Sequence, residues 1–246
     1  MDALTTPELL YFCFIIVISY AIRGSAGFGG VTVPLLAWVL SLKTVVPMVT
    51  FLGLVSSAAI LRTDFRHVAW RDLWRILPWT ALGVVIGVYF FKILDAGTLA
   101  RILGGVVFAY GCHALLATWR PPGKLAMPMA AITPVAGTLA GFVGTLFGSM
   151  AGMFFAIYLD LLKHSRDVFR ATVAAILFGL GILRGGAYVA TGEFTRDVLI
   201  ACAIALPMMA LGIFIGNRIH ANLNDVAFKR FVAVILMVSG LPLLIR

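Results

Sequence analysis

Charge is what this chain has least of: of its 246 residues, 12% are Asp, Glu, Lys or Arg against 62% hydrophobic, and the mean hydropathy is +1.06. A soluble domain of this length does not carry that composition, so the class is a polytopic integral membrane protein. Cysteine is nearly as scarce. Cys13, Cys112 and Cys202 stand singly in apolar runs, without the clustered spacing of metal or redox sites, and are expected to be small buried hydrophobes. The sequence has no GxxxxGKS or GxxxxGKT, no HExxH and no CxxC. These absences remove P-loop, zinc-protease and thiol-redox chemistry, and leave the expectation of no enzyme activity, no metal and no cofactor. Gly27-Phe-Gly-Gly30 has the outline of a dinucleotide turn, but no strand precedes it and its flanks are membrane-like. Between Met1 and Glu8 there is no Lys or Arg, so the apolar run that follows lacks the charged leader of a secretory signal and is expected to belong to the mature fold.

What is present is apolar length. Spanning a bilayer takes about 20 residues, and ten apolar segments can be drawn: 8–22, 28–42, 45–61, 76–91, 98–118, 128–143, 146–162, 168–183, 198–216 and 228–245. The net charge of +9 sits in short clusters between these runs and forms no sustained face, which argues for topology signals and against nucleic acid. The block Leu77-Pro-Trp-Thr-Ala-Leu-Gly-Val-Val-Ile-Gly87 matches Leu206-Pro-Met-Met-Ala-Leu-Gly-Ile-Phe-Ile-Gly216 at seven of eleven positions. An offset of 129 also carries Arg101 onto Arg230 and Gly111 onto Gly240, and an offset of 122 pairs Thr50 with Thr172 and Arg62 with Arg184. The expected fold is therefore all-α, with two repeats of about five hydrophobic segments each and short glycine-broken helix hairpins. The first repeat is 1–118, a linker runs over 119–127, where Pro121, Pro122 and Gly123 resist helix continuation, and the second repeat is 128–246. If the second half is inverted and the N-terminus lies outside, twelve Lys and Arg fall on the inner side and six on the outer; parallel halves would split the same charges nine and nine. The positive-inside rule favours inversion.

Two glycine-rich turns, Arg23-Gly-Ser-Ala-Gly-Phe-Gly-Gly30 and Gly144-Thr-Leu-Phe-Gly-Ser-Met-Ala-Gly152, occupy corresponding places in the two halves. Irregular backbone at membrane depth survives only where protein buries it or a watery cavity hydrates it, so a matched pair of breaks points to a transport site. Exposed amides there, with hydroxyls from Ser25, Thr32, Thr145 and Ser149, suit an oxyanion. The candidate substrate-binding residues are Arg23, Gly24, Ser25, Gly27, Gly29, Gly30, Thr32, Thr50, Thr145, Gly148, Ser149, Gly152 and Thr172. Close helix packing is the competing account of each small residue, and a bond to the carbonyl four residues back is the competing account of each threonine. Arg62 and Arg184, at matching repeat positions, are candidate gates at opposite mouths, with snorkelling at helix ends as the alternative. Asp160 is expected to pair locally with Lys163 and His164, and a proton relay through Asp160 or His113 is weakly supported. Trp70, Trp74, Trp79 and Trp119 read as interfacial anchors.

A Gly-x-Gly-Gly turn before Pro34, Thr50 in a small-residue helix, and the duplicated Leu-Pro-x-x-Ala-Leu-Gly-x-x-x-Gly block together resemble the sulfite exporter TauE/SafE family of membrane permeases, over essentially the whole chain. The resemblance implies a secondary transporter of small anions in the inner membrane, its substrates drawn from sulfite, sulfonates such as sulfoacetate, related organosulfur compounds and small carboxylates. It leaves direction open, along with coupling to protons or Na⁺ and assembly as a homo-oligomer. Two departures from the family pattern are Val31, where a third glycine is usual, and Met150 with Ala151 in the second turn. The first turn is thus the better-preserved one. A passive anion channel and a membrane-embedded assembly factor or enzyme are the rival classes.

Overall fold

Glycines set the closest approaches between helices. The computed structural model describes residues 5–26, 30–117, 129–148, 150–162, 164–219 and 225–245. Its α-helices are α1 (Thr6–Ala26), α2 (Thr32–Leu36), α3 (Leu42–Asp64), α4 (Trp70–Ile93), α5 (Ala96–Ala117), α6 (Met129–Phe147), α7 (Ala151–Leu161), α8 (Arg166–Ala190), α9 (Arg196–Ile219) and α10 (Asp225–Ile245). Among the described residues there is no strand. Among the described residues six helices, α1, α3, α4, α5, α8 and α9, are long and apolar enough to cross a membrane. The apolar parts of α6 and α10, Ala131–Phe147 and Ala233–Leu244, are shorter. The protein is a polytopic helical membrane protein, as its composition requires.

Two segments differ from the sequence expectation. The first, drawn as 8–22, is a helix of 21 residues, Thr6–Ala26, about 31 Å at 1.5 Å per residue. The second, read as 28–42, holds only the five-residue α2. Pro34 sits in its first turn, where a missing N–H costs nothing, and the chain then tightens through Trp38 N–H to Leu35 O and Val39 N–H to Leu36 O bonds. Ser41 restarts the helix by accepting the Lys43 amide, 3.3 Å, at the head of α3.

The largest interhelical contacts join α4 to α6, α5 to α10, α1 to α9 and α3 to α8. Each therefore crosses between the two sequence halves. In the duplicated block, Gly83 lies against the α6 backbone at Thr138, Gly141 and Phe142, and its repeat mate Gly212 lies against the α1 backbone at Val17 and Ala21. A Cβ at Gly83 would sit 2.8 Å from the Phe142 nitrogen, and one at Gly212 would sit 2.5 Å from the Val17 carbonyl oxygen. Such distances exclude any side chain, so the block is a helix-crossing device of the small-xxx-small kind. α3 and α8 run antiparallel: Thr50 faces Gly185, Leu54 faces Gly181 and the Asp64 carboxylate reaches Arg170 Nε at 3.4 Å. α5 and α10 do the same, with Gly104 against Gly240 and Gly111 against Ala233. The outer surface of α4 is a lipid-type face that includes Trp74, Leu82, Val85 and Tyr89. Trp70 and Trp79 are also exposed, and Trp119 lies outside the described residues.

Candidate functional site

α3 is a long apolar helix, and its middle residue is a glycine. Gly53 leaves a notch there, and two cations occupy the notch from different halves of the chain. A Cβ built on Gly53 would lie 3.7 Å from Arg184 Nη2, 3.9 Å from Arg23 Nη1 and 4.0 Å from Arg23 Nη2. Arg23 comes from the last turn of α1, and Arg184 from α8. Arg184 is buried and Arg23 half-buried. Among the described residues no Asp or Glu pairs with either guanidinium, since the ion pairs there are His164 with Asp72 and Arg170 with Asp64. A charge at the centre of a membrane helix costs about 2.5–3.5 kcal/mol on insertion scales. Two uncompensated ones on the same notch add their mutual repulsion.

The two arginines are held differently. Arg184 donates from Nη1 to the Gly144 carbonyl at 2.5 Å, and one turn further on the Tyr188 hydroxyl donates to the Thr145 carbonyl. Both acceptors lie in the last turn of α6, and the Gly144 oxygen, which also takes the Gly148 amide at 2.8 Å, receives Arg184 as a second, charged donor. α6 thus ends inside the protein with a cation and a phenol closing it, which suits the negative end of the helix dipole. Arg23 has weaker holds: Nη2 lies 3.1 Å from Ser57 Oγ and 3.5 Å from the Gly53 carbonyl, the second beyond good hydrogen-bond geometry. Its guanidinium carbon stands 5.9 Å from the Tyr20 ring centre, near the limit for cation–π attraction. Tyr20 is 1% exposed. Among the described residues the buried polar atoms without a partner are Arg23 Nε, Arg184 Nε, the Tyr20 hydroxyl and the Ser19 hydroxyl. The Tyr20 hydroxyl lies within the electrostatic reach of both arginines. The two guanidinium groups can only donate and have no carboxylate partner among the described residues, so a small anion is what the notch lacks.

The other sequence candidates disperse. Gly24 is packed, with a Cβ there 3.1 Å from the Ile213 carbonyl oxygen of α9. Among the described residues nothing lies within 4 Å of a Cβ on Gly30. Gly27, Gly29 and Ser149 lie outside the described residues, as does the side chain of Ser25. Thr32 is buried at the start of α2. Gly148 adopts φ +74°, the left-handed region that glycine enters freely, and packs on Val33 of α2 and Val46 of α3. Gly152 is buried in α7. Thr50 and Thr145 spend their hydroxyls on carbonyls four residues back, Val46 at 2.8 Å and Gly141 at 2.7 Å. Thr50 still abuts Gly185, next to Arg184. Thr172 accepts the Ala69 amide at 3.0 Å, at the head of α4. It lies roughly 20 Å along α8 from Gly185 at 1.5 Å per residue, so the two threonines do not share a cavity.

Arg62 and Arg184 prove unlike each other. Arg62 is exposed in the last turn of α3, whereas Arg184, expected at an outer mouth, is buried at the central notch. The physical reason is that α8 continues to Ala190, beyond the segment end at 183 read from hydropathy. His164 makes a bond across the halves, Nε2 to Asp72 Oδ2 at 2.9 Å. The Asp160 side chain and Lys163 lie outside the described residues, and His113 is exposed on α5. Sequence reasoning missed Tyr20, Gly53, Ser57 and Tyr188. A usable signal was present: Tyr20 with Arg23, and Arg184 with Tyr188, are Tyr–Arg pairs one helical turn apart in otherwise apolar helices.

Comparison with known proteins agrees with the fold. The model of the sulfite exporter TauE/SafE family matches residues 11–243. The chain is 28% identical over 182 residues to a Comamonas testosteroni protein named "Probable inner membrane transporter protein TsaS", covering 73% of this chain and 74% of that one. It is 26% identical over 207 residues to the Cupriavidus necator "Probable sulfite/organosulfonate exporter TauE", covering 82% and 78%. No solved structure matches. The chain belongs to the sulfite exporter TauE/SafE family, and it is a transmembrane transporter of that family.

Proposed function

We propose that this TauE/SafE family member is an inner-membrane secondary carrier of small oxyanions, with sulfite, sulfonates and small carboxylates as its substrate class. The observation that carries this reading is the convergence of Arg23 and Arg184, one from each half of the chain, on Gly53 without a carboxylate partner among the described residues. A protein that keeps two unpaired guanidinia at the middle of a membrane helix has a strong electrostatic reason to bind an anion there. The name of one relative, a probable sulfite/organosulfonate exporter, points to the same chemistry, and that of the other to inner-membrane transport. The antiparallel run of α3 and α8, which correspond in the repeat register, supports an inverted arrangement of the halves and alternating access by one half rocking on the other. An inside-negative potential drives a permeant anion outward without a coupling ion, which makes export the simpler direction.

The test is flux of labelled sulfite, sulfoacetate, taurine and small carboxylates in proteoliposomes, with and without a proton or Na⁺ gradient. Transport of none of them overturns the reading. Gly53→Leu gives the site-specific arm: the larger side chain fills the space between the guanidinia, and flux is expected to fall at least about a hundredfold, as when a reactive geometry is displaced. Gly53→Ala, whose Cβ finds ordinary contacts of 3.7–4.0 Å, retains flux. Orientation is tested with single cysteines in place of Lys43 and Ser165, which begin α3 and α8 at corresponding repeat positions. Impermeant labels reach them from opposite sides if the halves are inverted.

A further inference from the structure

The central notch offers two fixed positive charges and several hydrogen-bond donors, but few free acceptors. Gly53 and Gly144 supply the nearest carbonyls, and both are occupied: the Gly53 oxygen takes the Ser56 hydroxyl at 3.0 Å and Arg23 at 3.5 Å, the Gly144 oxygen the Gly148 amide at 2.8 Å and Arg184 at 2.5 Å. What is left over is donor capacity: both Nε–H groups and the Tyr20 hydroxyl. A ligand that still carries an acidic proton finds no vacant carbonyl to receive it and can offer it only to a hydroxyl oxygen such as that of Tyr20, whereas a fully deprotonated anion accepts from every donor. A ligand with a single charge leaves one guanidinium uncompensated in the interior.

We propose that the site is built for a doubly charged oxyanion, with one guanidinium balancing each charge. This rests on the anion-carrier reading above and sharpens its substrate class. It ranks inorganic sulfite as the dianion above bisulfite, and sulfoacetate, whose carboxylate and sulfonate can each meet one arginine, above taurine, whose ammonium repels both. Planar guanidinium forks favour oxyanions with two oxygens in reach, so halides rank last. Tyr20 supplies a neutral donor that counts the same for either charge state, and its loss lowers affinity without altering the ranking.

The test measures binding of named anions to the purified full-length protein by titration calorimetry across a pH series. Sulfate stays doubly charged and methanesulfonate singly charged throughout, so neither should show a pH slope. Sulfate is expected to bind about 10- to 100-fold more tightly, the scale of one buried charge left unpaired. Sulfite affinity is expected to rise about tenfold per pH unit while bisulfite predominates, then to level off once the second proton is gone. Arg23→Gln should abolish the sulfate preference and the sulfite slope together, and Tyr20→Phe should weaken sulfate and methanesulfonate alike. Wild-type sulfite binding that is flat with pH, or tighter under acid, overturns the dianion inference while leaving an anion site in place; this arm needs no variant to fold. Failure of every anion to bind overturns the carrier reading itself.

Discussion

The two glycine breaks began as counterparts, and they solve the same physical problem in opposite ways. At the second, α6 stops inside the protein and its terminal carbonyls are closed by Arg184 and Tyr188, one helical turn apart on α8. Gly148 turns the chain in the left-handed region and packs tightly on α2 and α3. At the first, α1 ends at Ala26 with Arg23 in its final turn, a charge held by Ser57, a distant carbonyl and the Tyr20 ring, while no described residue comes within 4 Å of a Cβ on Gly30. One break is capped and packed; the other is charged and open. In a carrier this division has a use, because a firmly seated element can act as a frame against which a loosely held cation answers to substrate. Buried networks that are fully satisfied are rigid, and partly satisfied ones are where function resides.

The widest contrast is expected between the two arginines. Arg23→Met removes a poorly compensated charge, so transport should be lost while thermal stability in detergent stays at or above wild type, the usual trade between function and stability. Arg184→Met should also abolish transport, but it frees the end of α6 and is expected to cost about 1.5–3 kcal/mol, the worth of a hydrogen bond from a charged group. Equal stability changes in the two variants would mean that the capped and open breaks do not differ as described.

A smaller contrast separates the glycines themselves. Gly148→Ala must place a Cβ at φ +74° and 3.3 Å from Val33 Cγ2, at a cost of roughly 1–2 kcal/mol for the left-handed backbone alone. Gly30→Ala meets nothing within 4 Å among the described residues, so its stability should lie within about 0.5 kcal/mol of wild type. Thermal unfolding of both measures this directly. If Gly30→Ala destabilises as much as Gly148→Ala, the first break is as tightly built as the second.

Much of the fold was legible in the sequence because membrane helices declare themselves by apolar length, and the duplicated glycine block marked which helices correspond. Its function as a crossing surface was not legible, since Gly83 meets α6 and Gly212 meets α1, partners far away in sequence. Arg23 stood out as a charge beside an apolar segment. Arg184 was misplaced because hydropathy ended its segment at 183, while the helix continues through Gly185 and Gly186 to Ala190 and carries the arginine into the protein. Gly53, lying mid-helix, looked like one more packing glycine. Only the convergence of α1 and α8 on its face distinguishes it.

The smallest expected effect bears most directly on how the second break is closed. Tyr188 is fully buried, its ring 5.2 Å from Phe91, and its hydroxyl donates to the Thr145 carbonyl. Tyr188→Phe keeps the ring and its packing and removes one donor, so stability should fall by about 0.5–1.5 kcal/mol. Arg184 still closes the neighbouring Gly144 carbonyl in that variant, so the anion site should survive and sulfate affinity change less than about threefold. A larger loss of affinity would mean that Tyr188 holds Arg184 in place through the end of α6, tying the capped break to substrate binding as closely as the open one.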